Sequence, residues 1–193
     1  MNDPAGDVIE TAILWRRLDK TGHESACVFA AEDAWHLRGS SVFEHEGRPC
    51  RLEYEVACDA EWRTARSFVQ GWIGRLPVDL EIVNDEQHGW RLNGMPHPEL
   101  AGCIDVDLNF SPATNLLPIR RLDLAVGDTA TMRTAWLRFP AMTMEVLEQR
   151  YRRTGPTSYR YESVSSGFAC NLEVNDFGLV THYPGFFVTA ARE

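Results

Sequence analysis

Apolar and polar residues alternate along much of this chain with the two-residue period of a β-strand. In CRLEYEVAC, Leu52, Tyr54, Val56 and Cys58 alternate with Arg51, Glu53, Glu55 and Asp59, so one face of this strand should be buried. Short runs of the same kind recur at AILWRRL, AWHLRGSSVF, VDLEIV, GWRL, CIDVDL, TMRTAWLRF, SYRYES, ACNLEV and LVTHY, mostly separated by Gly, Pro, Asn or Asp. That spacing predicts an antiparallel meander. TMEVLEQRYRR, residues 143–153, reads as an amphipathic helix or, from its β-branched and aromatic members, equally as a long strand, and the strand is the preferred reading. In SPATNLLP, Ser111 can cap a short helix with Pro112 at its first position, and IRRLDL then reads as a return to strand beside CIDVDL, with NFSPATNLLP as the compact turn between them.

The resulting fold class is mainly β: many short, largely antiparallel strands in a curved, barrel-like or half-open sheet, with about one helix. No low-complexity linker divides the 193 residues, whose number suits one domain over 1–193. VDLEIVNDEQHGWRL and CNLEVNDFGLVTHY echo one another, and two hairpins with similar turn chemistry account for the echo as well as a duplication does.

Charge narrows the partners. Asp and Glu outnumber Lys and Arg by 28 to 19, a net charge of −9, which argues against nucleic acid and anionic lipid surfaces as partners. No apolar window approaches the ~20 residues of a spanning helix, and the start lacks the pattern of an export signal, so no membrane span and a cytoplasmic location are expected. Five cysteines without CxxC spacing read as buried reduced thiols, and six scattered histidines give no metal motif. Neither a phosphate-binding glycine loop nor a GxSxG elbow is present, and no cofactor is expected.

Candidate chemistry concentrates in GCIDVDLNFSPATNLLPIRRLDL, residues 102–124. In a strand, Asp105 and Asp107 share one face, opposite Ile104, Val106, Leu108 and Phe110. Two carboxylates are a starting point for glycosidase chemistry, yet that chemistry holds its pair ~5 Å or more apart across a sugar, whereas strand neighbours run parallel. If IRRLDL is a strand, Arg120 lies on the face of Leu122 and Leu124, and a buried guanidinium there requires a partner. Asp105 or Asp107 is the internal candidate and a polyhydroxy or anionic ligand the external one; a structural Arg–Asp network is the preferred reading. Aromatic rings can supply ligand contacts, with an apolar face and, for Trp and Tyr, a polar tip.

AWHLRGSSVF, LEYEVACDAEWRT with Asp59 and Trp62, the 102–124 stretch, AWLRFPAMTMEVLEQRY and NDFGLVTHYPGF, taken in order, make this chain resemble the bacterial "putative glycolipid-binding" family, formerly a domain of unknown function. The resemblance covers nearly the whole chain. It implies a single mainly β domain of barrel-like form, similar to lipid-carrier folds, and non-catalytic binding of a lipid or glycolipid. It supplies no catalytic residues. A ligand site is therefore assigned from the residues themselves: Trp62, Trp136 and Tyr161 lining a cavity, with Asp105, Asp107, Asn115, Arg120 and Arg121 around a polar headgroup. Two alternatives stand beside it. One is an enzyme using Asp105 or Asp107 with Arg120 or Arg121 on a small or sugar-bearing substrate; the other is a protein-interaction scaffold.

Overall fold

The computed structural model describes residues 8–31, 34–85 and 87–193. The first eight strands are β1 (Val8–Arg17), β2 (Gly22–Ala31), β3 (Ala34–His45), β4 (Arg48–Cys58), β5 (Thr64–Ile73), β6 (Leu76–Asp85), β7 (Gly89–Leu92) and β8 (Met95–Pro96). After a 3-10 turn at Pro98–Leu100 come β9 (Asp105–Leu108), a second 3-10 turn at Ala113–Asn115 and the helix α1 (Leu116–Leu122). The rest is β10 (Thr129–Arg138), β11 (Thr143–Gly155), β12 (Ser158–Ser163), β13 (Phe168–Val174), β14 (Val180–Tyr183) and β15 (Phe187–Arg192).

All fifteen strands belong to one sheet, ordered β8-β7-β6-β5-β4-β3-β2-β1-β15-β14-β13-β12-β11-β10-β9. Two meanders meet where β1 pairs with β15, and the chain passes from one edge of the sheet to the other between β8 and β9. Every neighbouring pair is antiparallel except β9 with β10, which is parallel. The sheet is curved and does not close, yet β9 comes back against the start of β5. There Thr64 donates its amide to the Ile104 carbonyl at 3.3 Å and accepts the Val106 amide on its hydroxyl at 3.1 Å.

Alternation explains most of these strands. Leu52, Tyr54, Val56 and Cys58 are buried on β4 as their spacing predicts; β11 is a strand throughout, with Leu147, Gln149 and Tyr151 buried at alternate positions and Met144 buried out of that phase. The two echoing segments form the β6–β7 and β13–β14 hairpins, each with an Asx side chain capping turn amides: Asp85 for Gln87 and His88, Asn175 for Gly178 and Leu179.

IRRLDL departs from the expectation. It is helix, and it neither pairs with CIDVDL nor leaves NFSPATNLLP as a compact turn between two strands. The reason lies in a longer window: the buried Ala113, Leu116 and Leu117 follow the i, i+3, i+4 spacing of a helix, which the six residues of IRRLDL do not include. Ser111 and Pro112 stand one residue earlier than the expected cap and first helical position: the 3-10 turn starts at Ala113 with Pro112 in its cap position and α1 is capped at Asn115, although Ser111 Oγ does accept the Ala113 amide at 3.1 Å. Pro118 is tolerated in the first turn, where an amide has no intrahelical acceptor, and Asp123 ends the helix in the left-handed conformation at φ 41°.

The interior is filled by this helical segment. Ala113, Leu116 and Leu117 join Trp15, Leu37, Leu52, Val56, Val106, Leu108 and Leu137 in the larger apolar core, while Ile119 joins Tyr151, Tyr159, Tyr161, Leu172 and Val180 in a smaller one. Gly178 makes room for it: a Cβ there would stand 3.1 Å from Leu116 and 3.2 Å from Ile119, and its φ of +107° already favours glycine. No helix among the described residues is long and apolar enough to cross a membrane.

Candidate functional site

A pocket of about 260 Å³ lies between the β9–β14 half of the sheet and the segment that leads into α1. Cross-strand register builds its wall. Asp107 stands beside Trp136, and Leu147, Tyr161, Ser163 and Phe168 continue the same face across the following strands. Asn109, Ser111 and Asn115 close it from the helical segment, while Ser165, Ser166, Tyr183 and Phe186 complete the lining. Tyr161, Phe168, Tyr183 and Phe186 form one ring cluster, with centroids 5.1–6.3 Å apart.

Polar groups hold one another in fixed orientations at the pocket wall. Gln149 donates its amide to Asp107 Oδ2 at 2.7 Å and also approaches the Tyr161 hydroxyl at 3.2 Å, while its carbonyl accepts from Thr134 at 2.8 Å. Tyr151 donates to Asn115 Oδ1 at 2.7 Å, and the Asn115 amide donates to the Pro112 carbonyl. Among the described residues Gln149 is the one hydrogen-bond donor to Asp107. Asp107 keeps some solvent exposure because it meets the pocket, but atoms crowd it on its other sides. That burial pushes its carboxyl up to about 6, against the smaller opposing effect of the Gln149 bond.

Asp105 serves a different end. Its carboxylate, fully buried, receives Arg121 Nε at 3.0 Å and Nη2 at 2.6 Å, a two-pronged pair that ties α1 to β9. Burial still holds Asp105 above the usual carboxylate range despite Arg121, so the pair serves to position α1 more than to stabilise the fold. The arginine roles are thus the reverse of those a strand would assign: Arg121 turns inward and Arg120 outward. Arg120 stacks on Trp62 and Phe177, at 5.4 and 4.9 Å, and Trp62 stacks in turn on Trp35. Of the eight candidate residues, Asp107, Asn115, Trp136 and Tyr161 share the pocket; Asp105 and Arg121 form the ion pair; Trp62 and Arg120 lie together in a separate cluster.

One buried cluster escaped the sequence reading. Glu24 Oε1 accepts from Tyr54 at 2.7 Å and from Ser111, whose hydroxyl also borders the pocket, while Glu24 Oε2 has no hydrogen-bond partner among the described residues. Burial raises Glu24 to about 7, opposed by the Ser111 and Tyr54 bonds and by the Arg17 charge. Gly39 permits this arrangement, since a Cβ there would sit 2.3 Å from the Tyr54 ring and hydroxyl. A signal for Glu24 existed in GHESACVF: Glu24 holds the inward phase shared by Ala26 and Val28. A larger concavity, about 800 Å³, is an open trough across β1–β5 lined by Ala12, Cys27, Glu53 and Phe68; it lacks the converging buried polar groups of the smaller pocket.

Comparison with known proteins agrees with this architecture. The crystal structure of a DUF1089 family protein from Pseudomonas aeruginosa matches with a TM-score of 0.73 and 30% sequence identity, over 86% of this chain and 91% of that one. A search of curated proteins returned no match. The family model described as "Putative glycolipid-binding" matches residues 12–189, and the chain belongs to that family.

Proposed function

We propose that this protein binds the sugar headgroup of a glycolipid in the Asp107 pocket without catalysing a reaction on it. The observation that carries this reading is the meeting of a half-buried carboxylate, an oriented carboxamide and a phenol hydroxyl with a wall of aromatic rings, the chemistry that hydroxyls and the apolar face of a sugar ring require. The family description supports a ligand of this class.

Size limits what enters. At about 260 Å³ the pocket falls below the ~300–1,000 Å³ of pockets that enclose drug-sized ligands, and the rest of the interior is packed by α1. The headgroup is therefore read in the pocket while the acyl chains stay outside the fold. Binding is favoured over hydrolysis because Asp107 is the one carboxylate among the lining residues, whereas glycosidase chemistry uses two. Nor does an arginine reach it: Arg121 is engaged by Asp105 and Arg120 stacks on Trp62.

Trp136 provides both probe and test. Titrating a panel of methyl glycosides should give a saturable change in the protein's tryptophan fluorescence that Trp136→Phe removes. Trp136→Ala, followed by ligand-observed NMR, should weaken the same glycosides by about tenfold, the loss of one stacking contact. A panel in which no glycoside binds the unaltered protein would overturn the reading.

A further inference from the structure

The pocket combines a carboxylate and an aromatic wall with no basic residue. Among its thirteen lining residues there is no Lys, Arg or His. Asp107 Oδ2 is engaged by Gln149, but Oδ1 has no hydrogen-bond donor among the described residues, although its residue borders the pocket. Arg138 stacks on Trp136 at 5.1 Å, yet it is paired with Glu145 and is not part of the lining.

Elsewhere this chain supplies the cation itself when a carboxylate and rings converge. Arg17 lies between the Phe43 and Phe187 rings, at 4.7 and 4.6 Å, and is ion-paired with Asp19 at 3.0 Å. Around Asp107 the carboxylate and rings are present, and no lining residue among those described is a cation. A desolvated carboxylate without a counter-charge is unfavourable, and ring faces attract ammonium groups. An anionic headgroup would add repulsion in the same small space.

We propose that the headgroup selected by this pocket carries an ammonium charge, received jointly by Asp107 and the ring cluster of Tyr161, Phe168, Tyr183 and Phe186. This rests on the headgroup-binding reading above and narrows it from sugars in general to amino sugars or other ammonium-bearing groups.

The test uses the full chain at pH 7 and four probes in calorimetry: a methyl 2-amino-2-deoxyglycoside, its N-acetyl form, the parent neutral methyl glycoside, and choline as an ammonium without a sugar. The amino glycoside should bind about tenfold or more tighter than its N-acetyl and neutral counterparts, as expected for a charge-assisted contact replacing a neutral one. Asp107→Asn, which keeps the acceptor for Gln149, should erase that preference, so that the amino glycoside binds no tighter than its neutral counterparts. Phe186→Leu, at the exposed rim, should weaken the amino glycoside even if Asp107→Asn fails to fold. Equal binding of neutral and amino glycosides would overturn the charge inference and leave the sugar reading intact. Choline binding without any preference for a sugar would do the reverse. Binding of none of the four would overturn both.

Discussion

Buried carboxyl groups divide the work at the scale of single residues. Asp105 and Asp107 are two positions apart on one strand, yet one is bound to Arg121 and the other faces the pocket. Removing Arg121 strands a buried charge, so Arg121→Met should cost about 3–5 kcal/mol, and adding Asp105→Leu should restore most of it. Urea denaturation of the single and double variants checks this; a double variant as weak as the single would show that the pair contributes more than mutual neutralisation. Glu24 and Asp107 make stability depend on pH in the opposite sense to a salt-bridged acid. Their folded values, about 7 and about 6, lie above the ordinary 4.5 and 3.8, so the folded protein holds protons that the unfolded chain releases. Their contribution is therefore full below pH ~4 and is lost as pH rises through 6 to 7. Asp107→Asn should flatten that loss by on the order of 1–3 kcal/mol between pH 4.5 and 8, measured from denaturant midpoints. An unchanged slope would place the carboxyl near its ordinary value. The sequence showed the two aspartates and their shared face. It could not show which one an arginine would claim, because that depends on α1, which is distant in pairing though close in sequence.

At the scale of elements, α1 is the piece the local pattern misassigned. A six-residue window containing Ile119, Leu122 and Leu124 satisfies strand alternation and helical spacing almost equally well, and packing decides between them. Leu116 and Leu117 are fully buried in the larger core, so the element fills the sheet as a wedge. Leu117→Ala should destabilise the protein by about 2–5 kcal/mol in thermal or chemical unfolding. A loss under 1 kcal/mol would mean that the surrounding sheet collapses onto the space and that α1 is no wedge. β4 is a contrasting case: there the alternation runs from Cys50 to Cys58, and the strand has the faces it assigns.

The whole molecule depends on how its sheet curls. The β9 end of the fifteen-strand order comes back against β5 at Thr64, whose hydroxyl accepts the Val106 amide, while Trp90 on β7 donates across the same seam to the Cys103 carbonyl at 3.0 Å. Thr64→Val keeps the shape and deletes the acceptor, which should cost about 1–3 kcal/mol and speed hydrogen exchange at the Val106 amide. Exchange at Val106 as slow as in the unaltered protein would show that the seam does not rely on this bond. The amino-acid order by itself determined most of the strands, though not β2, β5, β8 or β15, together with the mainly β class and the family, because each follows from near neighbours or from a motif that survives in one stretch. Only the tertiary structure decided that Asp107, Trp136, Asn115 and Tyr161 would share a pocket, that Trp62 and Arg120 would stack elsewhere, and that Glu24 would reach Ser111. Those meetings join residues up to 87 positions apart, and they arise from the register and curvature of the sheet and from the wedge of α1 inside it, which no local pattern of polarity encodes.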